Sequence, residues 1–296
     1  METIKLGAIF MKLSKLYPNI LNDFQVKNVT SKLNEIKKNT IYINTQNHQT
    51  INIPDSIKKT VLIVTKVQIP DTSIFSINVI NIYDELVRIY SLYYGLTSGT
   101  KVIGIINDDF LNYQKIVNDL YTNTIKEQAA IINTLDDIDT VYKTIGKYIK
   151  KKIKNIFVYF HSSEVADIVH QIYFDYIILP KSSHTTSLKS LMNTHSLLKQ
   201  SGILIYNYDD FNDLFMPNKH ISFGIDNRSL YQIRNIHHHN KIITGTIFKK
   251  DEELTEFLLC LSNNDYMYFI IALFVFFSNE FQSVELVHIF FSKYIL

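Results

Sequence analysis

Several short stretches of this chain hold residue types from which a reactive site can be built. The apolar run Lys101 to Ile106 (KVIGII) is followed by Asn107, Asp108 and Asp109. Adjacent carboxylates there could hold a metal ion, but aspartate is also a favoured helix cap, and capping is the simpler role. His161-Ser162-Ser163-Glu164 follows a second apolar run, Asn155 to Phe160. Serine beside histidine suggests nucleophile and base, although neighbours in sequence seldom align for that bond and no third group orients the ring. His184 follows a third run, Phe174 to Leu179, and Asp209-Asp210 follow a fourth, Gly202 to Tyr206. Carboxylates at a strand end can do acid–base work, though they more often cap the next helix. His237-His238-His239 has metal-binding chemistry but lacks a fixed spacing with other ligands, and reads as a polar turn. His170 and His195 read as structural or solvated.

The elements that would position these groups alternate between two periods. Val26 to Ser31, Thr40 to Ile43, Thr60 to Thr65 and Ser76 to Ile80 have the β-branched and aromatic character of strands. Met11 to Ile20 reads as a short helix ended by Pro18. Tyr83 to Tyr94 repeats apolar residues at helical spacing. Gly95 to Gly99 then forms the best linker, and places domain boundaries at residues 1–98 and 99–296. Beyond it, strands at 101–106, 155–160, 174–179 and 202–206 alternate with helices near 111–121, 142–154 and 187–199. That order predicts an α/β chain whose second domain is a doubly wound parallel sheet. The residues after Phe223, up to Leu261, read as antiparallel strands. The apolar run Tyr266 to Phe277 is twelve residues, short of the roughly 20 that span a bilayer, and reads as a buried helix.

Composition narrows the chemistry. The 296 residues carry 30 Lys+Arg against 28 Asp+Glu, a net charge of +2, which argues against a nucleic-acid binder. With 46% hydrophobic residues the chain can bury a core. One cysteine excludes an intramolecular disulfide framework and a cysteine-cluster zinc site. Eight glycines are few, and a backbone phosphate cradle needs glycine at particular places. The lysines between Lys147 and Lys154 read as a solvated helix face.

The order of motifs resembles the Mur ligases, the ATP-dependent synthetases of UDP-N-acetylmuramyl peptides, and most nearly the MurE type. Val29-Thr30-Ser31 through Ile43 aligns with the family's V-T-S-D-S-R-x-V-x-P-G-D-L-F-V. Tyr93-Tyr94-Gly95 resembles F-Y-G, and Gly104-Ile105 stands at the start of G-I-T-G-T-N-G-K-T-T. Asn133-Thr134 matches part of T-T-P, and His161-Ser162-Ser163 lies near E-V-S-S-H. Asn207-Tyr208-Asp209-Asp210 resembles N-A-D-D, and Ile221 to Asp226 resembles I-T-Y-G-I-D. Gly245 to Phe248 resembles G-T-x-F, and Asp265 to Ala272 resembles F-N-V-Y-N-A-L-A-A.

The resemblance implies a small N-terminal α/β domain and a P-loop-like central domain. It also implies descent from an amide-bond-forming ligase of peptidoglycan synthesis acting in the cytoplasm. It marks Gly104, Asn107, Asp108, Asp109, Leu111 and Asn112 as the positions of the nucleotide loop. Remnant substrate-site positions would be Ser31, Thr134, Ser162, Ser163, His184 and His195. The family's phosphate-loop lysine and threonine fall near Leu111 and Asn112, and its uridine-contacting D-S-R has become Lys32-Leu33-Asn34. Its magnesium-binding glutamate falls on Tyr159 or Phe160, and its modified lysine near His195. The chain ends at Leu296, where the family's central domain ends, so the carboxy-terminal ligase domain is expected to be absent. The expectation is therefore a catalytically inactive relative that has lost ATP and magnesium, with no nucleic-acid or membrane partner. A repurposed binding or scaffold protein with a protein partner, and a methyltransferase-like enzyme, remain as alternatives.

Overall fold

A computed structural model describes residues 11–20, 23–96, 99–107, 110–125, 130–133, 137–168, 170–180, 195–211, 219–261 and 265–281. Its contacts divide the chain into two compact units, residues 1–99 with 137–151, and residues 100–136 with 152–296. The chain thus passes between units at three places, of which the Gly95–Gly99 linker is one.

In the first unit, β1 (Met11–Lys12) and β2 (Gln25–Val26) form a small antiparallel pair, and Leu13–Lys15 is a single 3-10 turn rather than the expected longer helix. A parallel sheet follows, in the order β3 (Asn28–Thr30), β4 (Thr40–Ile43), β5 (Val61–Thr65) and β6 (Phe75–Asn78). All residues of β3, β4 and β5 are buried, as expected of parallel strands covered on both faces. The short helix α1 (Asp55–Lys58) precedes β5. Helix α2 (Ile82–Tyr94) starts where the Asn81 side chain accepts the Tyr83 and Asp84 amides, and stops at Gly95 in the left-handed region, φ 77°. Helix α4 (Ile138–Lys150) belongs to this unit although its sequence lies between strands of the other. Its place is fixed by rings: Tyr142 stacks on Tyr90 of α2 at 4.8 Å, and Tyr94 covers Gly146. A Cβ on Gly146 would lie 2.7 Å from the Tyr94 ring, so only glycine permits that approach.

The second unit contains, among the described residues, one nine-stranded sheet. Its strands are β7 (Lys101–Ile106), β8 (Ala130–Asn133), β9 (Asn155–Phe160), β10 (Phe174–Leu179), β11 (Leu198–Asn207), β12 (His220–Gly224), β13 (Tyr231–His239), β14 (Ile242–Lys249) and β15 (Glu252–Cys260). The spatial order is 15-14-13-12-11-10-7-9-8. Strands β8 to β13 run parallel with β7 among them, and β13, β14 and β15 form an antiparallel meander. In that order the chain runs rightward from β7 to β8 and leftward from β10 to β11, so the topological switch lies between the carboxyl ends of β7 and β10.

Helix α3 (Phe110–Ile125) follows β7, α5 (Val165–Ile168) follows β9, and α6 (Tyr208–Phe211) follows β11. The last helix, α7 (Asp265–Phe281), contains the apolar run and is buried as expected: Phe269 through Phe277 are each at most 4% exposed. It packs on α3, β10, β11 and β12, with Tyr113 against Phe269 at 4.1 Å and Phe276 against Tyr176 at 5.0 Å. Burying each such ring contributes about 1.5–3 kcal/mol. No described helix is long and apolar enough to cross a membrane. Two expected helices differ. The one read at 142–154 spans Ile138–Lys150, and the one read to Lys199 has already become strand at Leu198, His195–Leu197 being a 3-10 turn.

Candidate functional site

The first part of the expected nucleotide loop falls on the three residues between the end of β7 at Ile106 and the start of α3 at Phe110. The first of them, half-buried Asn107, gives its amide to the Phe160 carbonyl of the next strand at 3.2 Å. Asp108 and Asp109 lie outside the described residues, while Leu111 and Asn112 stand in the first turn of α3. Gly104 is not among those three. It sits inside β7, where an added Cβ would lie 3.1 Å from the Phe160 ring and 3.2 Å from the Phe174 ring. Those two rings stack at 5.5 Å across it, so its smallness serves packing between strands. A nest of consecutive amides, a lysine and a hydroxyl would be needed to hold a triphosphate with magnesium. The three residues between strand and helix contain no glycine, lysine, serine or threonine, and one amide is already bonded. This donor set does not fit ATP, and the wholly buried Tyr159 and Phe160 do not fit a magnesium ion.

Asn107 and His161 leave adjacent strands at the same sheet end, since Ile106 pairs with Phe160. His161 caps a 3-10 turn, Ser162–Glu164. Its Nδ1 lies 2.9 Å from the Ser163 hydroxyl and accepts the Ser163 amide at 3.4 Å, while Glu164 accepts the His161 amide at 2.7 Å. The serine–histidine contact that sequence spacing disfavours is thus present, as part of a capping box. His195 is placed at the opposite, amino end of the strands, just before Leu198, which pairs with Phe174. A six-residue strand is about 20 Å long, so His195 does not join Asn107 and His161. Thr134 and His184 lie outside the described residues.

Asp209 accepts the amides of Ile225 (2.8 Å) and Asp226 (2.9 Å) rather than capping its own helix, while Asn207 holds Asp210 at 3.1 Å. Asp209 thus ties the end of β11 to the end of β12, while Asp210 stays bonded to β11 itself. The histidine triplet closes β13, opposite Thr244, Ile243 and Ile242 of β14, with the turn at Asn240-Lys241. Successive strand residues face opposite ways, which separates His238 from its neighbours. Among the described residues no group of three metal-ligating side chains converges.

The best-defined polar centre surrounds Ser31 in the first unit, and sequence reading located only half of it. Ser31 gives its amide (3.0 Å) and hydroxyl (2.9 Å) to Asp139 near the start of α4. Thr30 donates to the same carboxylate at 2.6 Å, and the Tyr90 hydroxyl donates to it as well. Burial, then the negative charge of Asp139, holds the Tyr90 phenol well above its ordinary pKa, so it stays a donor. Around this centre Lys32 pairs with Asp137 at 2.8 Å and Lys143 with Glu35 at 3.0 Å. The Lys143 hydrogen bond lowers the Glu35 pKa, and the Asp137 hydrogen bond raises that of Lys32. Leu33 is exposed. Asp139 carried no signal in sequence, where it read as one more charge before a lysine-rich helix. A separate apolar cleft of about 370 Å³ is lined by Tyr17, Pro18, Asn19, Ile20, Phe75 and Ile77.

No protein-family model matches the chain, and no curated protein matches it by sequence. Solved structures do match. One is a UDP-N-acetylmuramoyl-L-alanyl-D-glutamate–2,6-diaminopimelate ligase, with TM-score 0.69 and 10% identity over 97% of this chain and 67% of that one. A MurF from Acinetobacter baumannii matches at TM-score 0.55 and 9% identity, covering 96% of this chain and 68% of its own. The MurF ligase of Thermotoga maritima, in complex with ADP, matches at TM-score 0.52 and 13% identity, covering 90% and 65%. The chain therefore spans about two thirds of the length of these ligases. At such identities the likeness is one of architecture: the chain has a Mur-ligase-like α/β fold.

Proposed function

We propose that this chain is a Mur-ligase-like protein, related to the amide ligases of peptidoglycan synthesis, that neither binds ATP nor forms an amide bond. The observation that carries this reading is that only Asn107, Asp108 and Asp109 separate β7 from α3, two of them acidic and none a lysine or glycine, where a triphosphate would need amides and a lysine. Without charge neutralisation the phosphates have no seat, and two aspartates repel them. The closer kinship to the MurE type rests on the motif order from Val29 to Ala272, and a cytoplasmic location follows from that kinship.

A second reading, a binding or scaffold protein on the same fold, is favoured by one feature. Ser31, at the position the resemblance gives to substrate contact, has its amide and hydroxyl engaged by Asp139 of the same chain. Activity is tested by supplying UDP-muramyl dipeptide, magnesium-ATP and a panel of amino acids, then measuring ADP and amide product. The reading expects neither product above a protein-free control. Amide formation by the purified chain would overturn it.

A further inference from the structure

Four donors converge at the carboxyl end of β3. On one oxygen of Asp139, Oδ1, stand the Ser31 hydroxyl at 2.9 Å and the Tyr90 hydroxyl. On the other, Oδ2, stand the Thr30 hydroxyl at 2.6 Å and the Ser31 amide at 3.0 Å. Thr30 has one proton to give, and a 3.3 Å approach to Glu35 is the longer of its two contacts, so the proton goes to Asp139. Thr30, Tyr90 and Asp139 are wholly buried. Two oxygens, each receiving two donors, is the hydrogen-bonding pattern of a planar carboxylate. The neighbouring lysines, Lys32 and Lys143, pair with Asp137 and Glu35.

We propose that Thr30, Ser31 and Tyr90 form a carboxylate-binding seat in the first unit, which the chain fills with its own Asp139 and so holds α4 in place. The donors belong to β3, the residue after it, and α2, whereas the anion arrives from a helix 108 residues further on than Ser31. The carboxyl ends of parallel strands are where such sheets receive ligands. An occupant tethered to the same chain has a high effective concentration, so free carboxylates do not displace it. That the seat coincides with the former substrate position rests on the functional reading above. The seat itself does not.

The test uses the full chain with Asp139→Ala, which removes one carboxylate group and leaves room for formate, an anion of that size. Thermal unfolding is followed in sodium formate and in sodium chloride of equal ionic strength. Formate should raise the melting temperature of Asp139→Ala saturably, by about 3–5 °C at tenfold excess over its dissociation constant, and leave the unsubstituted chain unchanged. Acetate should do less, its methyl group meeting the alanine. Adding Tyr90→Phe should weaken formate binding about tenfold. Equal shifts in both proteins, or none in Asp139→Ala, would overturn the proposal. If Asp139→Ala is unfolded in chloride, formate-dependent refolding supports the seat and failure to refold in formate refutes it. No nucleotide is present, so the outcome is independent of whether the chain binds ATP.

Discussion

Ser31 and Asp139, 108 positions apart in the chain, share two hydrogen bonds, one from the Ser31 amide and one from its hydroxyl. This contact joins α4 to the end of β3 in the first unit, beside the ring packing on α2. Replacing Asp139 by alanine removes the acceptor of the buried Tyr90 hydroxyl and leaves Thr30 only its longer, 3.3 Å approach to Glu35, each loss costing about 1–3 kcal/mol. Urea unfolding should show a loss of about 3 kcal/mol for Asp139→Ala, and about 1 kcal/mol for Ser31→Ala, which removes one donor and leaves its amide bonded. A loss below about 0.5 kcal/mol for Asp139→Ala would mean that the cluster is incidental.

Gly104 separates a packing role from a phosphate-binding one. A methyl group there meets the Phe160 and Phe174 rings at 3.1–3.3 Å, closer than ordinary contact. Gly104→Ala should destabilise the chain by about 1–3 kcal/mol through overpacking. An unchanged urea midpoint would show that the rings yield without cost.

Much of the fold could be read in advance, and the reasons are local. Strands β7, β9 and β10 begin and end where the sequence indicates, since each is a near-continuous apolar run between polar residues. Strand β8 was missed because its four residues, Ala130–Asn133, are too few to show a period. Strand β11 starts before Gly202 because Leu198 pairs with Phe174, a long-range contact that overrides a polar, helix-compatible stretch. The site was less legible. The polar residues after the apolar runs pointed to Asn107 and His161, which do share a sheet end, whereas His195, marked only by the resemblance, stands at the other. The Ser31 partner could not be found, because a single aspartate has no spacing that reveals what it will meet after folding.

The aromatic layer under α7 should dominate the stability of the second unit. Phe276 is wholly buried and contacts both Tyr176 and Phe157. Phe276→Ala should cost about 3–5 kcal/mol, read as a lowered urea midpoint with an unchanged slope.

Tyr176 gives the second unit an alkaline limit. Burial, then the charge of Glu280, pushes its phenol up to about 12 from 10.0, and it donates to Glu280 at 2.9 Å. The folded state therefore holds this proton more tightly than the unfolded state. Its contribution is complete below pH 10 and is lost as pH rises through about 12. Unfolding midpoints measured from pH 9 to 12 should fall less steeply for Tyr176→Phe than for the unsubstituted chain, and parallel curves would refute this assignment.

Magnesium-ATP titrated into the full chain in a calorimeter tests the central claim most directly. The residues Asn107, Asp108 and Asp109 include no phosphate-binding lysine or glycine, and the Asn107 amide is already bonded to Phe160. The account predicts only the heat of dilution up to millimolar nucleotide. A saturable binding isotherm at micromolar magnesium-ATP would contradict it.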